Sequence, residues 1–127
     1  MQNDTEAKIK ADILAETQTL EQNYSTIAGF ILGTDYDPAT IGNSLQAFKD
    51  SLNRASAYVL TLYNLKGQYI SIPWEPLFTS LDYALATLST SASFKDRDAV
   101  RAVLAMSREQ LEQVMAYFAA LKISLKR

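Results

Sequence analysis

Residues 41–63 read IGNSLQAFKDSLNRASAYVLTLY. Their apolar positions are Ile41, Leu45, Phe48, Leu52, Ala55, Val59 and Leu62, stepping by 4, 3, 4, 3, 4 and 3 residues. A helix turns once per 3.6 residues, so side chains at that alternation fall in one stripe along it. A stripe of that length needs other apolar helices to cover it. The segment is therefore predicted to be the central seam of a helical protein, with the rest of the chain as its partners.

Upstream, Ile9, Ile13, Leu20, Tyr24, Ile27 and Ile31 lie near one face of a first helix. Asp4 or Thr5 is its expected cap, Glu6 favours its positive end, and Gly33 is its expected stop after Leu32. Residues 1 to about 4 are expected to be loose ahead of it. Glu16 and Thr17 stand where another apolar layer belongs. Gly29 inside this helix costs about 1 kcal/mol against Ala, which fits a close contact there. Asp37 before Pro38 reads as an N-cap with proline in the first turn of the second helix. That helix is expected to end near Asn64, with Gly67 closing it.

Residues 66–76 form the longest irregular stretch, and Pro73 and Pro76 oppose helix there. Tyr69, Ile70, Ser71 and Ile72 suit extended chain, but no partner strand is evident, so the segment reads as a loop. A third helix starts at Pro76 and runs to about Ser91, with Leu77, Leu81, Ala84, Leu85 and Leu88 inward. Ser93 or Asp96 begins a fourth. In it Val100, Val103, Leu104, Leu111, Val114, Phe118 and Leu121 repeat the seam, and Ser107 holds one intervening core position. Lys122, Lys126 and Arg127 suit the negative end of that helix. Four helices joined by short connections predict an all-α fold, an antiparallel up-down-up-down four-helix bundle in one domain spanning residues 1–127. Three long helices with a shorter fourth are the nearest rival.

The totals narrow the function. With 48% hydrophobic and 20% charged residues, the chain has the make-up of a globular domain able to bury a core. A net charge of −2 with interspersed signs carries no footprint for nucleic acid. No apolar run approaches the roughly 18 residues of a membrane span. There is no cysteine, hence no disulfide, thiolate metal site or thiol nucleophile. There is no histidine, so the Glu-x-x-His pairs of di-metal bundles and the commonest general base are both missing. Glu109 and Glu112 flank the seam and read as solvated charges. Asp35 and Asp37 flank Tyr36 without the remaining ligands of a calcium loop. The glycines form no phosphate cradle. The expectation is a protein that is not an enzyme and takes no metal or cofactor. Residues 1–10 are polar and show no secretory h-region, so the chain is either cytosolic or freed of its targeting segment.

Binding is the function left. Tyr69, Ile70, Ile72, Trp74 and Phe78 place five large apolar side chains where turns are usually polar. Trp and Tyr anchor interfaces, so the loop is a candidate partner-binding surface. Alternatively these side chains fold back as a lid over the bundle end, a role that suits Ile72 and Trp74 beside their prolines. Tyr24, Phe30, Tyr36, Tyr58, Tyr63, Tyr83 and Tyr117 could line a small-ligand pocket of sensory type, or straddle core and surface as such residues usually do. The consecutive Tyr58, Val59 and Leu60 widen one apolar face enough to permit a homodimer or a place in a larger assembly.

One stretch carries a resemblance. Phe78-Thr79-Ser80-Leu81-Asp82-Tyr83-Ala84-Leu85-Ala86-Thr87-Leu88 resembles the third-helix motif of the lumenal four-helix lipoproteins that assist photosystem II assembly and repair in cyanobacteria and chloroplasts. Gln113-Val114, Asn23-Tyr24 and Tyr63 fall near that family's spacing, so the similarity spans about residues 23 to 120. The chain departs from the family where Asn64 follows Tyr63 and where Ser89 to Ser91 replace a His-Tyr pair. It also lacks a lipidated cysteine, and about twenty residues precede Asn23. The resemblance implies a non-catalytic protein of the thylakoid lumen that docks transiently on a photosystem II core antenna subunit. Its contact residues would lie on helices three and four, Phe78 and Thr79 among them.

Overall fold

The computed structural model describes residues 2–90 and 94–126. They form five helices: α1 (Gln2–Ile31), α2 (Pro38–Leu65), α3 (Glu75–Thr90), α4 (Phe94–Met106) and α5 (Arg108–Leu125). No strand occurs among the described residues. The all-α expectation holds, with five helices where four were expected.

α2 carries the core. All seven of its seam residues are at most 2% exposed. They pack against α1, which supplies Ile9, Ile13, Leu20, Ile27 and Phe30, and against α3, which supplies Leu77, Leu81 and Ala84, in one core cluster with the buried stripe of α4 and α5. Phe30, not Ile31, fills the last α1 layer; Ile31 is half-buried. The interruption at Glu16 and Thr17 is a polar layer. Thr17 is buried and donates to the Ile13 carbonyl at 2.8 Å. Glu16 accepts from Ser51 Oγ at 2.6 Å and from Arg54 Nε at 2.9 Å, tying α1 to α2. A polar side chain survives in a seam when its hydrogen bonds are met, and these are.

Contacts between the helices order them. α1 and α2 run in opposite directions, since Glu16 meets Ser51 while Glu6 meets Lys66 at 3.8 Å. α2 and the chain of α3 do likewise: Ser56 bonds Trp74, and Lys49 pairs with Asp82. α5 runs back along α1, with Leu111 near Tyr24 and Ala28, Lys122 on Glu21 at 3.4 Å, and Lys126 near Leu14.

Helix ends follow local chemistry. Gly33 takes φ +110°, a backbone only glycine adopts without strain. The amide of Thr34 then bonds Gly29 O and that of Gly33 bonds Phe30 O, closing α1 in a Schellman turn. Gly67 (φ +73°) closes α2 in the same way through Gln68 and Tyr63. Asp37 caps α2 as predicted, accepting from the Thr40 amide at 2.7 Å. α1 begins at Gln2, ahead of the expected cap, which places Asp4 in its first turn, where a negative charge favours the dipole. Ser93 lies outside the described residues, and α4 is already helical at Phe94, before Asp96.

The expected fourth helix is broken at Ser107. The Ser107 amide bonds both Val103 O (3.2 Å) and Leu104 O (3.1 Å), tightening the last turn of α4. Its backbone leaves the helical region at φ −94°, ψ 4°, and α5 restarts with the Leu111 amide on Ser107 O. Leu104 and Leu111 stay buried on either side, so the apolar stripe continues through the break.

Candidate functional site

The nine residues between α2 and α3 carry the most distinctive surface. They form a strap, residues 66–74, in which exposure alternates: Tyr69 out, Ile70 half-buried, Ser71 out, Ile72 half-buried, Pro73 out, Trp74 in. Tyr69 is 90% exposed and Trp74 is 4% exposed. Period-two alternation is the signature of extended chain with one face on the protein.

Trp74 anchors the strap. Its indole ring packs edge-on to Tyr117 (centroids 5.1 Å apart) and against Phe118 (5.5 Å) on α5. Its Nε1–H donates to Ser56 Oγ at 2.9 Å, and that hydroxyl donates onward to Leu52 O at 2.7 Å. Burying an indole N–H without an acceptor is costly, so Ser56 in the α2 seam is what lets Trp74 go inside. The Leu77 amide bonds Trp74 O, which starts α3 directly behind the anchor.

Between the strap, the end of α2 and the middle of α5 lies a groove of about 510 Å³. Ile70, Ile72 and Trp74 give it an apolar wall, and Tyr63 and Tyr117 give it polar tips. Burial first, then the neighbouring Tyr63, pushes the Tyr117 hydroxyl above its ordinary value of 10.0. Tyr117 therefore stays neutral at physiological pH, and the groove carries no charge on its floor. Its volume and mixed lining suit a few side chains of a peptide.

Of the residues singled out from sequence, the structure brings Tyr69, Ile70 and Trp74 into this groove. Phe78 and Thr79 do not line it. They sit on α3, Phe78 half-buried against the core and Thr79 exposed. Trp74 is interior, so it shapes the groove from beneath. The sequence offers Tyr117 only within a ladder of aromatics and Tyr63 there and at the resembled family's spacing, and it gives no sign of Ser56. A buried tryptophan beside prolines signals that some hydroxyl or carbonyl must receive its N–H, but not which one.

The ladder itself does not form one pocket. Phe30 is in the core, Tyr36 packs over Gly29 and Tyr83 is exposed. A Cβ on Gly29 would lie 3.1 Å from the Tyr36 hydroxyl, so the close contact expected there is with the turn, not a helix. The space beside Tyr24, Ala28, Leu111 and Arg108 is about 30 Å³, room for one water. Burial and Glu112 raise the Tyr24 hydroxyl above 10.0, while Arg108 opposes them. Glu112 is itself exposed and paired with Arg108 at 3.0 Å. Among the described residues no three acidic side chains gather as a metal site, and no helix is long and apolar enough to cross a membrane.

No protein-family model, no curated protein and no solved structure matches this chain.

Proposed function

We propose that the chain is a non-enzymatic protein-binding module, with the groove beside the strap as its contact surface. The observation that carries this reading is Tyr69. A large aromatic side chain stands 90% exposed on a short segment held at its far end by a buried tryptophan. Interfaces concentrate their energy in such aromatics next to apolar clefts. In this reading α4 and α5 act as one rod kinked at Ser107, which completes an up-down-up-down bundle of four positions and holds the strap against α5.

The resemblance in the third helix supplies one named class of partner. It would make the chain a transient lumenal assembly or repair factor on a photosystem II core antenna subunit, contacted through the α3 face that bears Thr79.

Paired baits test the reading. The wild-type protein and Tyr69→Ala/Ile70→Ala are immobilised and exposed to extract of the source organism. A partner held by the wild type and lost at least about 30-fold by the variant, with folding intact, is expected for an aromatic hot spot worth roughly 2 kcal/mol. A partner retained by the variant moves the contact away from the strap. If that partner is a photosystem II core subunit, Thr79→Arg becomes the variant that matters. Capture by neither bait ends the protein-binding reading.

A further inference from the structure

We infer that the groove takes its partner as an added β-strand: an extended peptide segment pairing its backbone with residues 69–72. This deepens the protein-binding reading and rests on it.

The main chain of the strap carries the inference. Among the described residues, the N–H and C=O groups of 69–72 make no hydrogen bond to another protein group. Gln68 N is bonded to Tyr63 O before the gap, and Trp74 O is bonded to Leu77 N after it. Backbone groups left unpaired along an extended segment are a template for another strand. Natural edges are usually blunted by lysine or proline within them, and Tyr-Ile-Ser-Ile has neither. Its residue types favour extended chain. Pro73, with no N–H, ends the donor row beside the anchor. Four extended residues, 69–72, span about 13 Å at roughly 3.3 Å per residue, a short strand's length.

The groove supplies the second, independent observation. Strand addition gives affinity through the backbone and specificity through pockets for alternate side chains. Every second side chain of an added strand would point to the side where the 510 Å³ groove opens. An apolar wall of Ile70 and Ile72 with the Tyr63 and Tyr117 hydroxyls selects an apolar or hydroxyl-bearing residue there. Tyr69, on the outer face, is placed to cover a β-branched or aromatic side chain at the opposite position.

The test uses the full chain and a phage library of random peptides of about eight residues, long enough to pair the whole strap. Selected peptides are resynthesised, and each backbone amide is N-methylated in turn. The expected result is a period of two: methylation at alternate positions weakens binding about tenfold or more, and at the intervening positions hardly at all. Tyr69→Ala/Ile70→Ala should abolish binding of the same peptides. Peptides that bind at the strap as helices, or with no alternation in the methyl scan, overturn strand addition and leave the protein-binding reading standing. No peptide selected while an extract partner is captured through Tyr69 does the same. Failure of both the peptides and the extract brings down both readings. A concentration-dependent dimer lost in Tyr69→Ala would seat a second copy on the strap and overturn assignment to a separate partner.

Discussion

The two longer described connections, α1 to α2 and α2 to α3, are finished differently. Both begin with a glycine in the left-handed region and a Schellman turn, and both lead into a helix through a proline. The connection from α1 to α2 is knitted shut. Tyr36 packs on Gly29, Asp37 caps α2, and Arg101 reaches over from α4. Its guanidinium lies 4.5 Å from the Phe30 ring centre and donates to Phe30 O at 2.7 Å, at the negative end of α1. The connection from α2 to α3 is anchored by Trp74, with Ile70 and Ile72 packed on the core, and its main chain over 69–72 makes no hydrogen bond to another protein group. A closed turn spends its polar groups on the fold, and an open one leaves them accessible.

Removing that anchor should break this contrast most. Trp74→Ala is expected to cost about 3–5 kcal/mol in urea unfolding, because it empties a core site and removes the indole donor to Ser56 Oγ. A loss under about 1 kcal/mol would mean that the strap is held by something other than the indole.

The closed turn should respond less, since its ties are shared. Arg101→Met keeps the aliphatic stem over Phe30 and removes the charge. A loss of about 1–2 kcal/mol is expected from the charge-assisted bond and the helix-end charge, and it should shrink only slightly in salt because the contact is partly buried. No measurable change would reduce the clamp to a surface contact.

The groove tyrosines sharpen the comparison through pH. Burial raises the Tyr117 hydroxyl in the folded state above 10.0, so the folded protein holds this proton more tightly than the unfolded chain. The associated stability is whole below pH 10 and is lost as pH rises from 10.0 through the higher folded value. Tyr117→Phe should flatten that alkaline fall in thermal melts. Tyr24 is raised by burial in the same sense and will leave a residual slope.

The smallest effect belongs to the most exposed residue. Tyr69→Ala should change stability by no more than about 0.5 kcal/mol, as surface substitutions do. A larger loss would show that Tyr69 serves the fold.

The fold was legible where it depends on neighbours in sequence. The 4-3 spacing of α2 placed all seven seam residues in the core, and Asp37, Pro38, Gly33 and Gly67 marked their helix ends. Glu16 and Thr17 looked like a defect because the stripe offers only apolar or not. Thr17 is met within its own helix and Glu16 by residues 35 and 38 positions away. Ser107 looked like one more tolerated core serine. Ser51 and Ser56 are that, each meeting a partner on another element, whereas at Ser107 the helix gives way. For the candidate site, Tyr69, Ile70 and Trp74 stood out as large apolar residues in a proline-bounded loop. Their companions Tyr63, Tyr117 and Ser56 did not.

The sequence by itself determined the all-helical state, the buried seam and the places where α1 and α2 stop. Those follow from periodicity, capping and glycine conformation, which act over a few residues. Only the tertiary structure decided that Trp74 goes in while Tyr69 stays out, that Arg101 closes the far turn, and that residues 69–72 keep their backbone unpaired. Each of those depends on which groups meet across tens of residues, and hydrogen-bond partners at that range are chosen by packing.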